Sequence, residues 1–177
     1  MNRIGTRLLV DALAFAAYKH RRQRRKDPEA SPYINHPIAL AHALCDEAGI
    51  TSAGILAAAV LHDTIEDTET TYEELRGRFG KAVAEVVREV SDDKSLPKAE
   101  RKRLQIEHAA RLSRRARLVK LADKTCNLRD IASSPPHDWS LARKREYFDW
   151  AKAVVDRIRG TNRKLERAFD EAYAARP

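Results

Sequence analysis

Cysteine is scarce in this chain. Only Cys45 and Cys126 occur, with no CxxC pair. Nothing in their spacing resembles a disulfide framework or a thiolate metal clip. A disulfide-stapled fold is excluded, and a reducing, cytoplasmic compartment is the expectation. No apolar run approaches the length of a membrane span, so no membrane-spanning segment is expected. No segment alternates with period two for long enough to make a strand, and no repeat, low-complexity tract or interdomain linker interrupts the chain. Arg3 and Arg7 precede Leu8-Leu9-Val10, as in a signal peptide, but Asp11 cuts the apolar stretch short of an h-region. The helical spacing of Leu9, Ala12, Leu13, Ala16 and Ala17 predicts a retained first helix instead.

What is present suits one soluble domain with a real core: 177 residues, 43% hydrophobic and 34% charged. Lys and Arg number 34 against 26 Asp and Glu, a net charge of +8. Such an excess favours an anionic partner, whether nucleic acid, membrane surface or a phosphorylated small molecule, and does not choose among them.

The periodicity is helical throughout, and the fold class it predicts is all-α. Helices are expected over 6–20, from Pro37 to about 47, over a segment capped by Thr51 or Ser52 that carries the apolar run 55–61, and over 72–79 and 81–90 on either side of Gly80. Further helices are expected from Pro97 to about 113 and over 115–131, 140–159 and 162–175. Residues 27–37, with three prolines, read as a loop.

The segment LHDTIED, residues 61–67, crowds three carboxylates and a histidine behind the apolar run. On a helical turn His62, Asp63, Glu66 and Asp67 fall on one side. A solvated acidic helix end is the ordinary explanation of such a cluster. Here the preceding run is apolar on all sides and belongs in a core, so its end should open into a cleft, where the carboxylates need a compensating cation. His36, in YINHP, and Asp123, in KLADKTCNLRD, are further candidate ligands. Two histidines and two aspartates make a mixed nitrogen and oxygen shell suited to Mn²⁺, Fe²⁺ or Zn²⁺.

The order His36, His62-Asp63, Asp123 resembles the metal signature of the HD-domain phosphohydrolases. Four longer stretches, AFAAYKHRRQRRKDPEASPYINHPIALA, LAAAVLHDTIEDTETTYEELRGRFG, LVKLADKTCNLRDI and YFDWAKAVVDRIRGTNRKLE, resemble the hydrolase domain of the RelA/SpoT alarmone enzymes, and in particular the small stand-alone, Mesh1-like alarmone hydrolases. The resemblance implies one HD domain over residues 1–177, without synthetase or regulatory domains. It implies that His36, His62, Asp63 and Asp123 bind one Mn²⁺, with Zn²⁺ or Fe²⁺ as substitutes. Glu66 and Asp67 would order and deprotonate the attacking water, Arg25 and Lys26 would hold the guanine end, and Asn127 would contact the ribose or a nearby phosphate. The implied reaction removes the 3′-pyrophosphate of ppGpp or pppGpp, leaving GDP or GTP. Cys126 departs from the family pattern, where a larger residue is expected, and implies a pocket of altered shape.

The reaction chemistry agrees with these residues: a pyrophosphate ester needs its charge neutralised and a water activated, which a divalent metal and a nearby carboxylate supply. The run Arg21-Arg22, Arg24-Arg25-Lys26 then serves as a substrate-steering face with an arginine plane for the purine, and Lys102, Arg103, Arg114, Arg115 and Arg117 are expected to be ordinary solvated charge, with reach to phosphates as the alternative for some of them. Another phosphatase on the same scaffold, such as one removing the 2′-phosphate of NADPH, is the first alternative. A nucleotide sensor that no longer hydrolyses is the second, against which the intact HD and ED pairs weigh. No nucleic-acid partner is expected, because the clustered acids would repel phosphate without a metal.

Overall fold

Ten helices follow one another in the computed structural model, which describes residues 2–177: α1 (Arg3–Lys19), α2 (Asn35–Asp46), α3 (Ala53–Leu61), α4 (Thr64–Asp67), α5 (Tyr72–Phe79), α6 (Lys81–Val90), α7 (Lys98–Ala109), α8 (Arg114–Ser133), α9 (Leu141–Asp156) and α10 (Arg163–Ala174). Among the described residues the only extended pairing is an isolated bridge between Arg24 and Pro32, so the all-α expectation holds. No described helix is long and apolar enough to cross a membrane.

Side-chain caps start five of the ten helices. Asn2 Oδ1 accepts the Gly5 amide at 2.9 Å, which starts α1 three residues earlier than the periodicity predicts. Thr71, Ser113 and Ser140 cap α5, α8 and α9 in the same way. Asn162 caps α10 while Glu166 reaches back to the Asn162 amide, a reciprocal capping pair. Ser52 occupies the cap position of α3 but makes no capping bond there. Gly80 joins α5 to α6 at φ 84°, a backbone region that L side chains rarely adopt.

The core forms around α3 and α8. Helix α3 packs against α1, α2, α6 and α8, and α8 also meets α9 and α10. Leu56 through Leu61 are all buried, as the uniformly apolar run demands. In α8 the burial includes charge: Lys120, Asp123 and Lys124 lie beside Leu121, Ala122 and Leu128. Charged groups buried in the middle of a core helix need partners, and those partners belong to the site.

Candidate metal and nucleotide site

LHDTIED is not one continuous helix. Helix α3 ends at Leu61, and Asp63 sits at φ −97° and ψ 0° before the short α4 begins. Thr64 Oγ1 takes the free Leu61 carbonyl at 2.7 Å, which closes α3 and lets the chain turn. The turn leaves His62 buried and Asp63, Glu66 and Asp67 partly exposed along one cavity wall.

The turn brings His62 to His36 of α2 and Asp123 of α8. One ligand atom from each of these three buried residues lies within 4.8 Å of the other two. His36 Nε2 is 3.3 Å from Asp123 Oδ1, and His62 Nε2 is 3.8 Å from the same oxygen and 2.9 Å from Asp63 Oδ2. Asp63 thus joins through His62, and Tyr33 of the loop before α2 donates its hydroxyl to the same Asp63 oxygen. Of the nine residues expected to form the site, all but Lys26 line one polar cavity of about 190 Å³.

The donor set fits a divalent cation. His62 Nδ1 donates to the Ala59 carbonyl at 2.8 Å, which leaves Nε2 as the lone-pair nitrogen. That nitrogen is buried and has no hydrogen-bond partner in line among the described residues, although two carboxylate oxygens lie close by. A lone pair facing carboxylates is repulsive unless a proton or a metal sits between them. Burial opposes charge on His62, but the Asp63 and Asp123 carboxylates outweigh it and push its pKa up to about 9. Burial would likewise raise Asp63 and Asp123; the facing His62, and for Asp123 first of all Lys124, hold both below the usual carboxylate range.

Asp123 is fixed from two further sides. Lys124 Nζ meets its Oδ2 at 3.1 Å, and Asn127 Nδ2 donates to its Oδ1 at 2.6 Å. Asn127, one turn after Asp123, therefore turns its amide to a candidate ligand carboxylate while lining the wall of the cavity. Burial, with Lys124 beside it, lowers the pKa of Lys120, whose ammonium donates to the Val90 carbonyl at 2.8 Å on the cavity floor.

Glu66 and Asp67 lie at the mouth. Glu66 accepts the Asp92 amide at 3.1 Å and meets Arg101 at 3.4 Å, while burial raises its pKa above the ordinary glutamate value. Asp67 pairs with Lys94 from the turn between α6 and α7.

A second cavity of about 440 Å³ adjoins the first, and Arg25, Tyr33, His36 and Asn127 line both. Lys26, Asp130, Trp139 and Tyr147 line only the larger one. Arg25 lies 5.9 Å from the Tyr33 ring centroid and pairs with Asp130. Arg24, Arg25 and Lys26 line the larger cavity while Arg21 and Arg22 are exposed, so the basic run divides into a wall and a solvated face. Cys126 is buried, its thiol pushed up to about 12 by burial, and lines neither cavity. Its side chain therefore contributes nothing to the lining of either cavity.

Sequence reasoning missed Tyr33, Lys120, Lys124, Asp130, Lys94 and Arg101. Helical spacing could have found some of them, since Lys120, Asp123, Asn127 and Asp130 recur every three or four residues on one face of α8. Lys94 and Arg101 sit in a stretch of dense charge and carry no such signal. Lys102, expected to be solvated, instead pairs with Glu146 and lies 5.3 Å from the Trp150 ring centroid.

The HD domain family model matches residues 12–149, a span that holds every residue of both cavities. The guanosine-3′,5′-bis(diphosphate) 3′-pyrophosphohydrolase MESH1 of Xenopus tropicalis is 55% identical over 94% of this chain and 93% of its own length. The human protein of the same name is 56% identical over 95% of this chain and 94% of its own. A solved structure of a metazoan SpoT orthologue, described as hydrolysing ppGpp with a role in starvation responses, superposes with a TM-score of 0.93 at 53% identity, covering 96% of this chain and 95% of that one. A match across the whole site, joined to relatives of this identity over nearly the full length, places the chain in the HD-domain family, in its Mesh1 branch.

Proposed function

We propose that this chain, as one domain from residue 1 to 177, is a Mn²⁺-dependent 3′-pyrophosphohydrolase that converts ppGpp and pppGpp to GDP and GTP. The observation that carries the reading is the shared wall. A small, highly charged cavity at His36, His62, Asp63 and Asp123 opens beside a larger one of nucleoside size, with Arg25, Tyr33, His36 and Asn127 between them. A nucleotide laid across that wall puts its base beside Arg25 and Lys26 and its 3′-pyrophosphate beside the ligand cluster.

His36, His62, Asp63 and Asp123 would hold the metal, which supplies Lewis acidity and a more acidic water when bound. Glu66 and Asp67 flank the route from solvent to the cluster. Glu66, raised by burial, is the better proton acceptor of an ordered water. Lys120 and Lys124 set positive charge against the departing pyrophosphate from the α8 side. Tyr33, held protonated by burial and by Asp63, orients that carboxylate through its hydroxyl proton. The guanidinium plane of Arg25 offers a stacking surface for the purine. Free Cys45 and Cys126 support a reducing, cytoplasmic setting.

The test is turnover of ppGpp, pppGpp and NADPH by metal-stripped protein, with and without added Mn²⁺. Restoration of GDP and pyrophosphate release from ppGpp on adding Mn²⁺ supports the proposal. Faster release of phosphate from NADPH would move the chain to a 2′-phosphatase, and tight nucleotide binding without turnover to a sensor.

A further inference from the structure

His36 and His62 differ at their outer ring nitrogens. His62 Nδ1 is held by the Ala59 carbonyl at 2.8 Å. His36 turns Nε2 towards Asp123 Oδ1 at 3.3 Å, so Nδ1 must carry its proton whenever Nε2 offers a lone pair. Yet His36 Nδ1 is buried without a hydrogen-bond partner among the described residues. The carboxylate facing it is that of Asp130, whose Oδ2 lies 3.9 Å away and is held by Arg25. Asp130 stands on the same face of α8 as Asp123 and Asn127, and its side chain is 46% exposed, so it has room to move. A shift of about 1 Å would bring the pair into ordinary N–H···O range.

We propose that Asp130 is a positioning residue for the metal: it accepts the His36 Nδ1 proton once His36 holds a cation, and shares its carboxylate between that ring and Arg25. Asp130 then joins the wall of the nucleotide cavity to the metal ligands. A carboxylate on the outer nitrogen of a ligating histidine fixes the ring's tautomer and raises its basicity. The proposal rests on the metal-site reading above.

The test uses Zn²⁺, a diamagnetic probe, on the full chain stripped of metal. Two quantities are measured in wild type, Asp130→Ala and Asp130→Asn: the Zn²⁺ dissociation constant, and the ring N–H resonances of the zinc-loaded, ¹⁵N-histidine-labelled protein. Asp130→Ala is expected to weaken Zn²⁺ roughly 10- to 100-fold. It should also lose the His36 N–H resonance to solvent exchange, while that of His62, held by Ala59, persists. Asp130→Asn keeps a carbonyl acceptor and should restore part of the His36 signal. Wild-type affinity in Asp130→Ala would overturn the proposal alone, as would loss of both histidine signals together, which reports a general disturbance. A wild-type chain that binds no Zn²⁺ and no Mn²⁺ would overturn the metal-site reading, and this proposal with it.

Discussion

Lys94 rests its ammonium on the carboxylate of Asp67, and the same nitrogen is 3.8 Å from Glu66 Oε1. A half-exposed lysine from the turn between α6 and α7 thus neutralises the two acids that flank the ligand cluster. Glu66 also meets Arg101, so without Lys94 a phosphorylated substrate would approach an Asp67 carboxylate stripped of its cation. Lys94→Met should raise KM for ppGpp by no more than about five-fold, because a partly exposed pair is worth up to about 1 kcal/mol. The effect should shrink as ionic strength rises. Steady-state kinetics at two salt concentrations checks it; an unchanged KM at low salt would make the pair incidental.

Removing a ligand should separate metal from fold. His62→Ala and Asp63→Ala leave the apolar run of α3 intact, so far-ultraviolet circular dichroism should remain helical. Bound Mn²⁺, counted by elemental analysis after dialysis, should fall from one per chain to near zero, and activity with it. A variant that retained one Mn²⁺ per chain would show that the ligands lie elsewhere.

Glu66→Gln should lower kcat by roughly 10²-fold or more, with little change in KM, as for a lost general base. The pH profile gives the sign. Burial holds the Glu66 pKa above the ordinary 4.5, so the ionised, proton-accepting form is present only above that raised value. Activity should therefore fall on acidification at a pH higher than an ordinary glutamate would set. If Asp67→Asn, and not Glu66→Gln, abolishes this acid limb, Asp67 is the base.

Arg25→Lys keeps the net charge but loses the planar fork that Asp130 holds at the cavity wall. KM for ppGpp should rise about five-fold, the equivalent of roughly 1 kcal/mol of stacking. Arg22→Lys, at an exposed position, should change nothing. A small phosphate ester without a base should be hydrolysed equally by both variants. Equal KM shifts for the two substitutions would mean that the basic run acts only through its charge.

Much of the architecture was legible before any tertiary contact. The apolar run 55–61 has no polar side, which forces it into a core whatever its neighbours are. Gly80 marks an end that depends on a few adjacent residues, and the helices 72–79 and 81–90 fall where the periodicity puts them. The candidate ligands could be picked out as well, because His36, His62, Asp63 and Asp123 follow a recognisable order, and three of them, His36, His62 and Asp123, meet in the fold. Tertiary structure alone decided how those residues are used. It brought the break at His62, which the Thr64 bond to the Leu61 carbonyl closes locally, against His36 and Asp123. It set Lys94 on Asp67, Arg25 on Asp130, and Asp130 opposite His36, 94 positions away in the chain (130 − 36). Caps and periodicity are short-range and leave a local trace in the residue order. Pairings between distant charges are chosen by packing geometry, and one aspartate in a run of charged residues looks like any other until the helices close around it.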